Sequence, residues 1–301
     1  MSVRSLIRNW LVPPGYLRIA RSIIGEEKKI EKPGVFQLPG ASANLETFRG
    51  GNKQQRCFIL ATGPSIKTQD LSRLKGENCI AVSWFHLHEH IEAIRPKWHV
   101  LAPLHPPFDD KTNQKQFDSL YTIYKDRNDI RFLLGHTDYF DHSYFNYLTK
   151  SDSRFSDRFK NETWFLNYST PGQLDESTYM NESTWDIMKG PFELRTVIYP
   201  AIQLAYFLGF SEIILVGCDH DYLSDITRVE NHHFYAENKG VSDKEHLSDF
   251  SMERWFYEYY MRWKQYRLMR EFLSSRSVSI VNATNGGMLN VFQRVKFEEI
   301  V

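Results

Sequence analysis

A mainly parallel α/β sheet with helices packed on it is the fold class this sequence predicts, and three observations predict it. Short apolar runs recur at Cys57–Leu60, Cys79–Val82, Trp98–Ala102 and Glu212–Gly217, each with the length and composition of a buried strand. Helical patterns fall between them, at Phe85–Ile94 and Tyr199–Leu208, with a long one at Ser251–Leu273. Strands that alternate with helices pair most simply in parallel, because each crossover helix brings the chain back to the same end of the sheet.

Composition agrees with a folded domain. Hydrophobic residues make up 42% and charged residues 25% of the 301, which excludes a disordered or collagen-like chain. Lys plus Arg (37) cancels Asp plus Glu (37), so the basic excess that non-specific nucleic-acid binding needs is missing. Cys57, Cys79 and Cys218 form no even framework and no CxxC spacing, which predicts a reducing, cytoplasmic setting. No run of about 18 apolar residues predicts a spanning helix.

Residues 1–25 carry Arg4, Arg8, Arg18 and Arg21 and no acid. Leu6, Ile7, Trp10 and Leu11 share one helical face before the Pro13-Pro14-Gly15 break, and Ile19, Ile23 and Ile24 share one after it. Two basic amphipathic helices are predicted, of a kind that either lies on an anionic membrane surface or docks on the main domain. Residues 26–52, with mixed charges, Pro33, Pro39 and several glycines, read as a linker, and residues 53–301 as a single α/β domain. Within it the first strand, Cys57–Leu60, delivers the turn Ala61-Thr62-Gly63-Pro64-Ser65, and Pro96 stops the helix Phe85–Ile94. Residues 106–190 are polar and aromatic and read as helices and loops of a substrate-facing part. Gly209 is placed to end the helix Tyr199–Leu208, and a last strand, Val278–Val281, precedes the turn Asn285-Gly286-Gly287.

Open parallel sheets hold ligands beyond the carboxyl ends of their strands, and two motifs occupy that position. In Thr62-Gly63-Pro64-Ser65 the missing Cβ of Gly63 can admit a phosphate or ribose, Pro64 stiffens the bend, and Thr62 and Ser65 offer hydroxyls. On that reading Gly63→Val blocks the ligand and leaves the fold intact. The same residues also make an ordinary strand-to-helix turn, and they match neither GxGxxG nor a Walker loop. Asp219-His220-Asp221 ends the clearest strand, and its two carboxylates either share a divalent cation such as Mg²⁺ or belong to a solvated loop. Asn231-His232-His233-Phe234-Tyr235 adds two imidazoles and a phenol, with a histidine beside a polarised hydroxyl as a candidate general base. His86, His88 and His90 lack the acid of an HExxH pattern and read as packing. Trp255, Phe256, Tyr259, Tyr260, Trp263 and Tyr266 recur at helical spacing and read as core. No nucleophile elbow or Cys/His signature supports hydrolase chemistry.

Residues 56–66, RCFILATGPSI, and 209–222, GFSEIILVGCDHDY, resemble the nucleotide-binding domain shared by bacterial CMP-sialic-acid-dependent sialyltransferases and the MptE-like 6-hydroxymethylpterin diphosphokinases. Residues 282–299, NATNGGMLNVFQRVKFEE, resemble the MptE-like and motility-associated glycosyltransferase side of that group. The resemblance implies a Rossmann-like, sialyltransferase-like fold. It implies nucleotide contacts from Gly63, Pro64 and Ser65, with Thr62 in the place of the family's Asn, and from Ser83, Thr196 and Asp219. It implies that Tyr222 and Tyr235 hold the leaving phosphate. His246 is the nearest match to the family's catalytic histidine, with His233 the second candidate.

The expected function is that of a glycosyltransferase of polysaccharide biosynthesis, peripheral on the inner membrane face. It would move a sugar, sialic-acid-like, from a nucleotide donor to a cell-surface glycan acceptor without a required metal. Two alternatives stand beside it: an MptE-like diphosphokinase using ATP and Mg²⁺ held by Asp219 and Asp221, and a non-catalytic nucleotide-binding protein of polysaccharide assembly.

Overall fold

Apolar runs that leave no strand face in water become the centre of one nine-stranded sheet. It is seen in a computed structural model that describes residues 34–104, 110–136, 143–150, 153–167, 176–189, 195–224, 233–235 and 251–301. The segment 1–25, with its two predicted basic helices, lies outside these residues. The strands are β1 (Val35–Gln37), β2 (Arg56–Leu60), β3 (Cys79–Val82), β4 (Trp98–Leu101), β5 (Arg131–His136), β6 (Thr163–Asn167), β7 (Glu212–Val216), β8 (Ser279–Asn282) and β9 (Gln293–Arg294). Their order is β1-β6-β5-β4-β3-β2-β7-β8-β9, and all neighbours are parallel except β1 with β6. The chain thus builds outward from β2 to β6 and then returns to the other side of β2 with β7. Strand order reverses between β2 and β7, the point at which such sheets gather ligands.

The main helices are α1 (Asp110–Tyr124), α2 (Tyr144–Lys150), α3 (Arg154–Phe159), α4 (Ile198–Phe207) and α5 (Met252–Ser275). They cover both faces, which is why the central strands are apolar throughout rather than alternating. Cys57 and Ile59 of β2 pack with Ile202 of α4 and Phe272 of α5 on one face. Phe58 and Leu60 pack with Phe117 and Leu120 of α1 on the other. Each such fully buried Leu, Ile or Phe contributes roughly 1.5–3 kcal/mol. The three cysteines are buried and unpaired. No helix among the described residues is long and apolar enough to cross a membrane.

Three expectations need correction. Residues 34–52 are not a linker: β1 pairs antiparallel with β6, Leu45 is buried, and the Gly50 and Asn52 amides donate to the Phe207 and Leu208 carbonyls at the end of α4. A Cβ on Gly209, at φ +89°, would stand 2.7 Å from Gly50 Cα, so the C-terminal glycine of α4 also admits this segment. The predicted helix Phe85–Ile94 is instead a 3₁₀ turn, Phe85–Leu87, and one α-turn, Ile91–Ile94. On α5, Trp255, Tyr259 and Tyr266 are buried but Phe256 and Tyr260 are exposed, since aromatics at consecutive positions cannot share one helical face.

Candidate functional site

Because Leu60 pairs with Val216 at the end of the β2–β7 ladder, the loops after both strands emerge side by side. The Ala61 amide donates to the Val216 carbonyl (2.8 Å) and the Gly63 amide to the Gly217 carbonyl (2.9 Å), which carries the pairing into the loops. A Cβ at Gly63 would lie 1.8 Å from Asp219 Oδ2 and 2.5 Å from the Gly217 oxygen. The missing Cβ is therefore filled by the chain's own carboxylate, and not by a ligand. Pro64 then starts a 3₁₀ turn, Pro64–Thr68, in the first position, where its lack of an amide hydrogen costs nothing.

Asp219, 5% exposed, ties the loops together: the Ser65 amide donates to Oδ1 (3.2 Å) and the Ser65 hydroxyl to Oδ2 (2.8 Å). Burial pushes its carboxyl up to about 6, against the opposing pull of the Ser65 hydroxyl, and nearby Asp221 pushes it further. The Ser65 hydroxyl, expected to meet a nucleotide, is spent on this contact. A divalent cation shared by Asp219 and Asp221 would compete with both Ser65 bonds. Among the described residues no group of three or more His, Cys, Asp or Glu stands at metal-ligand spacing.

His233 and Tyr235 return to the same turn. The Phe234 amide donates to the Thr62 carbonyl (3.0 Å), and His233 Nδ1 lies 3.0 Å from the Thr62 hydroxyl. The Tyr235 ring stacks on His233 (centroids 5.0 Å apart) and approaches Trp84 at 6.3 Å. That contact brings in the end of β3, where Ser83 adopts φ +52°. The buried His99 holds this conformation by donating from Nε2 to the Ser83 carbonyl (2.7 Å). Thr62, Gly63, Pro64, Ser65, Ser83, Asp219, His233 and Tyr235 thus share the carboxyl edge at the reversal of strand order. His246 lies outside the described residues.

Beyond β7 the loop is gripped by α5. The Tyr259 hydroxyl donates to the His220 carbonyl (3.2 Å) and accepts from the Leu223 amide (3.2 Å). His220, at φ +48°, places Nε2 2.7 Å from the Tyr266 hydroxyl. Burial, helped by the positive charge of Arg262, pushes His220 down to about 3, so its ring is neutral. Tyr222 packs near His220 (6.2 Å between centroids) and under the Arg262 guanidinium. Thr196 accepts from the Ile198 amide at 3.4 Å, at the start of α4.

Tyr259, Arg262 and Tyr266 are the members that sequence reasoning missed. A signal existed: they recur at spacings of three and four with Trp255 and Met269, and Arg262 is the single charge in that stripe. Tyr266→Phe should cost about 1–3 kcal/mol in urea denaturation, because His220 would lose its partner at Nε2 while Nδ1 has none among the described residues. Wild-type stability in this variant would show that the ring alone holds the loop.

No protein-family model matches the chain, and no curated protein matches it. Among solved structures the chain is similar to the sialyltransferase CstII from Campylobacter jejuni, determined in complex with the substrate analogue CMP-3FNeuAc. The match has 13% identity and a TM-score of 0.36, and covers 80% of this chain and 85% of that one.

Proposed function

We propose that the protein is a glycosyltransferase that takes its sugar from a nucleotide donor bound where β2 and β7 end. The observation that carries this reading is the meeting of the Thr62–Ser65 turn, the Asp219–Tyr222 loop and the His233–Tyr235 segment at the reversal of strand order. In this mechanism His233, oriented by Thr62, removes the proton of the acceptor hydroxyl. Tyr222 and Tyr235 supply phenolic donors to the departing phosphate, whose charge grows as the glycosidic bond breaks. The Ser65–Asp219 pair positions the two loops and takes no part in proton transfer. A glycan hydroxyl is the acceptor.

Thermal unfolding of the full chain against CMP, CDP, UDP, GDP, ATP and CMP-sugars tests the donor. One nucleotide class at a hundredfold excess over its Kd should stabilise the fold by about 2.7 kcal/mol, a shift of several degrees. Absence of a shift with every nucleotide would refute the reading. His233→Gln should lower sugar transfer by about 100-fold and leave that donor shift in place. Release of AMP from ATP with Mg²⁺ as the pyrophosphoryl group passes to an acceptor hydroxyl, without sugar transfer, would favour a diphosphokinase instead.

A further inference from the structure

Trp255, Tyr259, Tyr266 and Met269 turn to the core, but α5 keeps other large side chains in water: Met252 is 40% exposed, Phe256 60% and Tyr260 60%. A spacing of four sets these three and Lys264 in one line along the helix. Midway along it Tyr260, Trp263, Lys264, Arg267 and Arg270 line, with Val291 after β8, a cleft of about 280 Å³. That is close to the lower end of small-ligand pockets, about 300 Å³.

Trp263 joins this cleft to the candidate site. Its ring stacks on Tyr259 (centroids 5.2 Å apart) and meets His220 edge-on (6.1 Å), while its Nε1 donates to Asn290 Oδ1 (3.0 Å), which fixes the indole in place. The cleft thus shares a wall with the Asp219–Tyr222 loop. Its cations are unequally matched. Lys264 Nζ lies 3.1 Å from Glu176 Oε1, and Arg267 pairs with Glu176 (3.3 Å) and Glu271 (3.0 Å). Arg270 is exposed; its Nη1 donates to the Val291 carbonyl (2.6 Å), and no carboxylate pairs with it among the described residues. A carbonyl orients the guanidinium without neutralising it, so three cations meet two acids and one positive charge stays unmatched.

We infer that this cleft on α5 binds an anionic sugar ring of the acceptor glycan. A pyranose turns one face of weakly positive C–H groups outward, which suits the electron-rich face of an exposed aromatic ring such as Tyr260. A carboxylate on the rim of the same sugar suits Arg270, whose planar guanidinium bonds two oxygens at once. Single-stranded nucleic acid also stacks on aromatic rings, but it needs cations that track several phosphates. One unmatched charge, in a chain of net charge 0, does not supply them. The inference rests on the glycosyltransferase reading for the glycan's role as acceptor; binding by the cleft does not depend on it.

Calorimetric titration of the full chain with a heparosan hexasaccharide, in which glucuronate alternates with N-acetylglucosamine, tests this against uncharged chitohexaose and against oligodeoxythymidine. Wild type should bind the uronate saccharide about tenfold more tightly than chitohexaose. Tyr260→Ala should weaken that binding by about tenfold, and Arg270→Gln should abolish the preference over chitohexaose. Both variants should melt close to the wild-type temperature, since both side chains are exposed. Equal affinity of wild type and Tyr260→Ala for the uronate saccharide, an unchanged preference in Arg270→Gln, or tighter binding of oligodeoxythymidine would each overturn the inference. Failure of wild type to bind the saccharide, with a nucleotide still raising the melting temperature, would overturn the subsite and leave the donor reading intact. Saccharide binding that depends on Tyr260, with no nucleotide raising the melting temperature, would support the cleft and overturn the transferase reading.

Discussion

Gly63→Ala is expected to destabilise the protein by about 3 kcal/mol or more, and Gly63→Val by more still. The added Cβ would sit 1.8 Å from Asp219 Oδ2 and 2.5 Å from the Gly217 oxygen, and neither neighbour can yield cheaply. Moving the Asp219 carboxylate breaks two bonds from Ser65; moving the Gly217 carbonyl breaks the bond from the Gly63 amide. Urea denaturation followed by far-ultraviolet circular dichroism measures the loss directly. A midpoint within error of wild type would mean that the two loops do not touch as described. The expectation drawn from the sequence, that Gly63→Val blocks a ligand and spares the fold, is thus replaced by one in which the fold itself fails.

Asp219→Asn should change how stability depends on pH. Asp219 titrates near 6 in the folded protein because burial disfavours its charge, against 3.8 when unfolded. The folded state therefore holds the proton more tightly between those values, and this group's contribution falls as pH rises from about 4 to 6, then stays level. The full swing is about 3 kcal/mol. His220 and His99, held neutral down to about 3 and about 4, act in the opposite sense, losing stability as pH falls below 6.5. The difference between wild type and variant isolates the carboxylate: Asn should gain relative to Asp by up to about 3 kcal/mol between pH 4 and 6. Unfolding curves that stay parallel across that range would count against a buried, protonatable Asp219.

Much of the sheet was legible because buried parallel strands declare themselves as continuous apolar runs. β2, β3, β4, β7 and β8 match the predicted strands within a residue at their ends. β5 and β6 were not legible. Each has only three consecutive apolar residues, Phe132–Leu134 and Trp164–Leu166, and Gly135 within β5 reads as a break. There a Cβ would strike the Pro103 ring at 2.3 Å, so the glycine serves a contact 32 positions away in the chain. β1 is legible only through its partner: three half-buried residues become a strand because β6 offers an open edge.

What the sequence determined by itself was the α/β class, the strands at the centre of the sheet, and the placing of Gly63 and Asp219 at carboxyl ends, since all of these follow from local periodicity and turn chemistry. Tertiary structure alone decided what those residues do. It turned the open space of Gly63 into the seat of the Asp219 carboxylate and directed the Ser65 hydroxyl onto that carboxylate. Among the described residues it also left Arg262 Nε and Nη1 and His220 Nδ1 without hydrogen-bond partners. Whether a polar atom is satisfied depends on groups far apart in the chain, and local sequence carries no record of which donors and acceptors the fold will bring together.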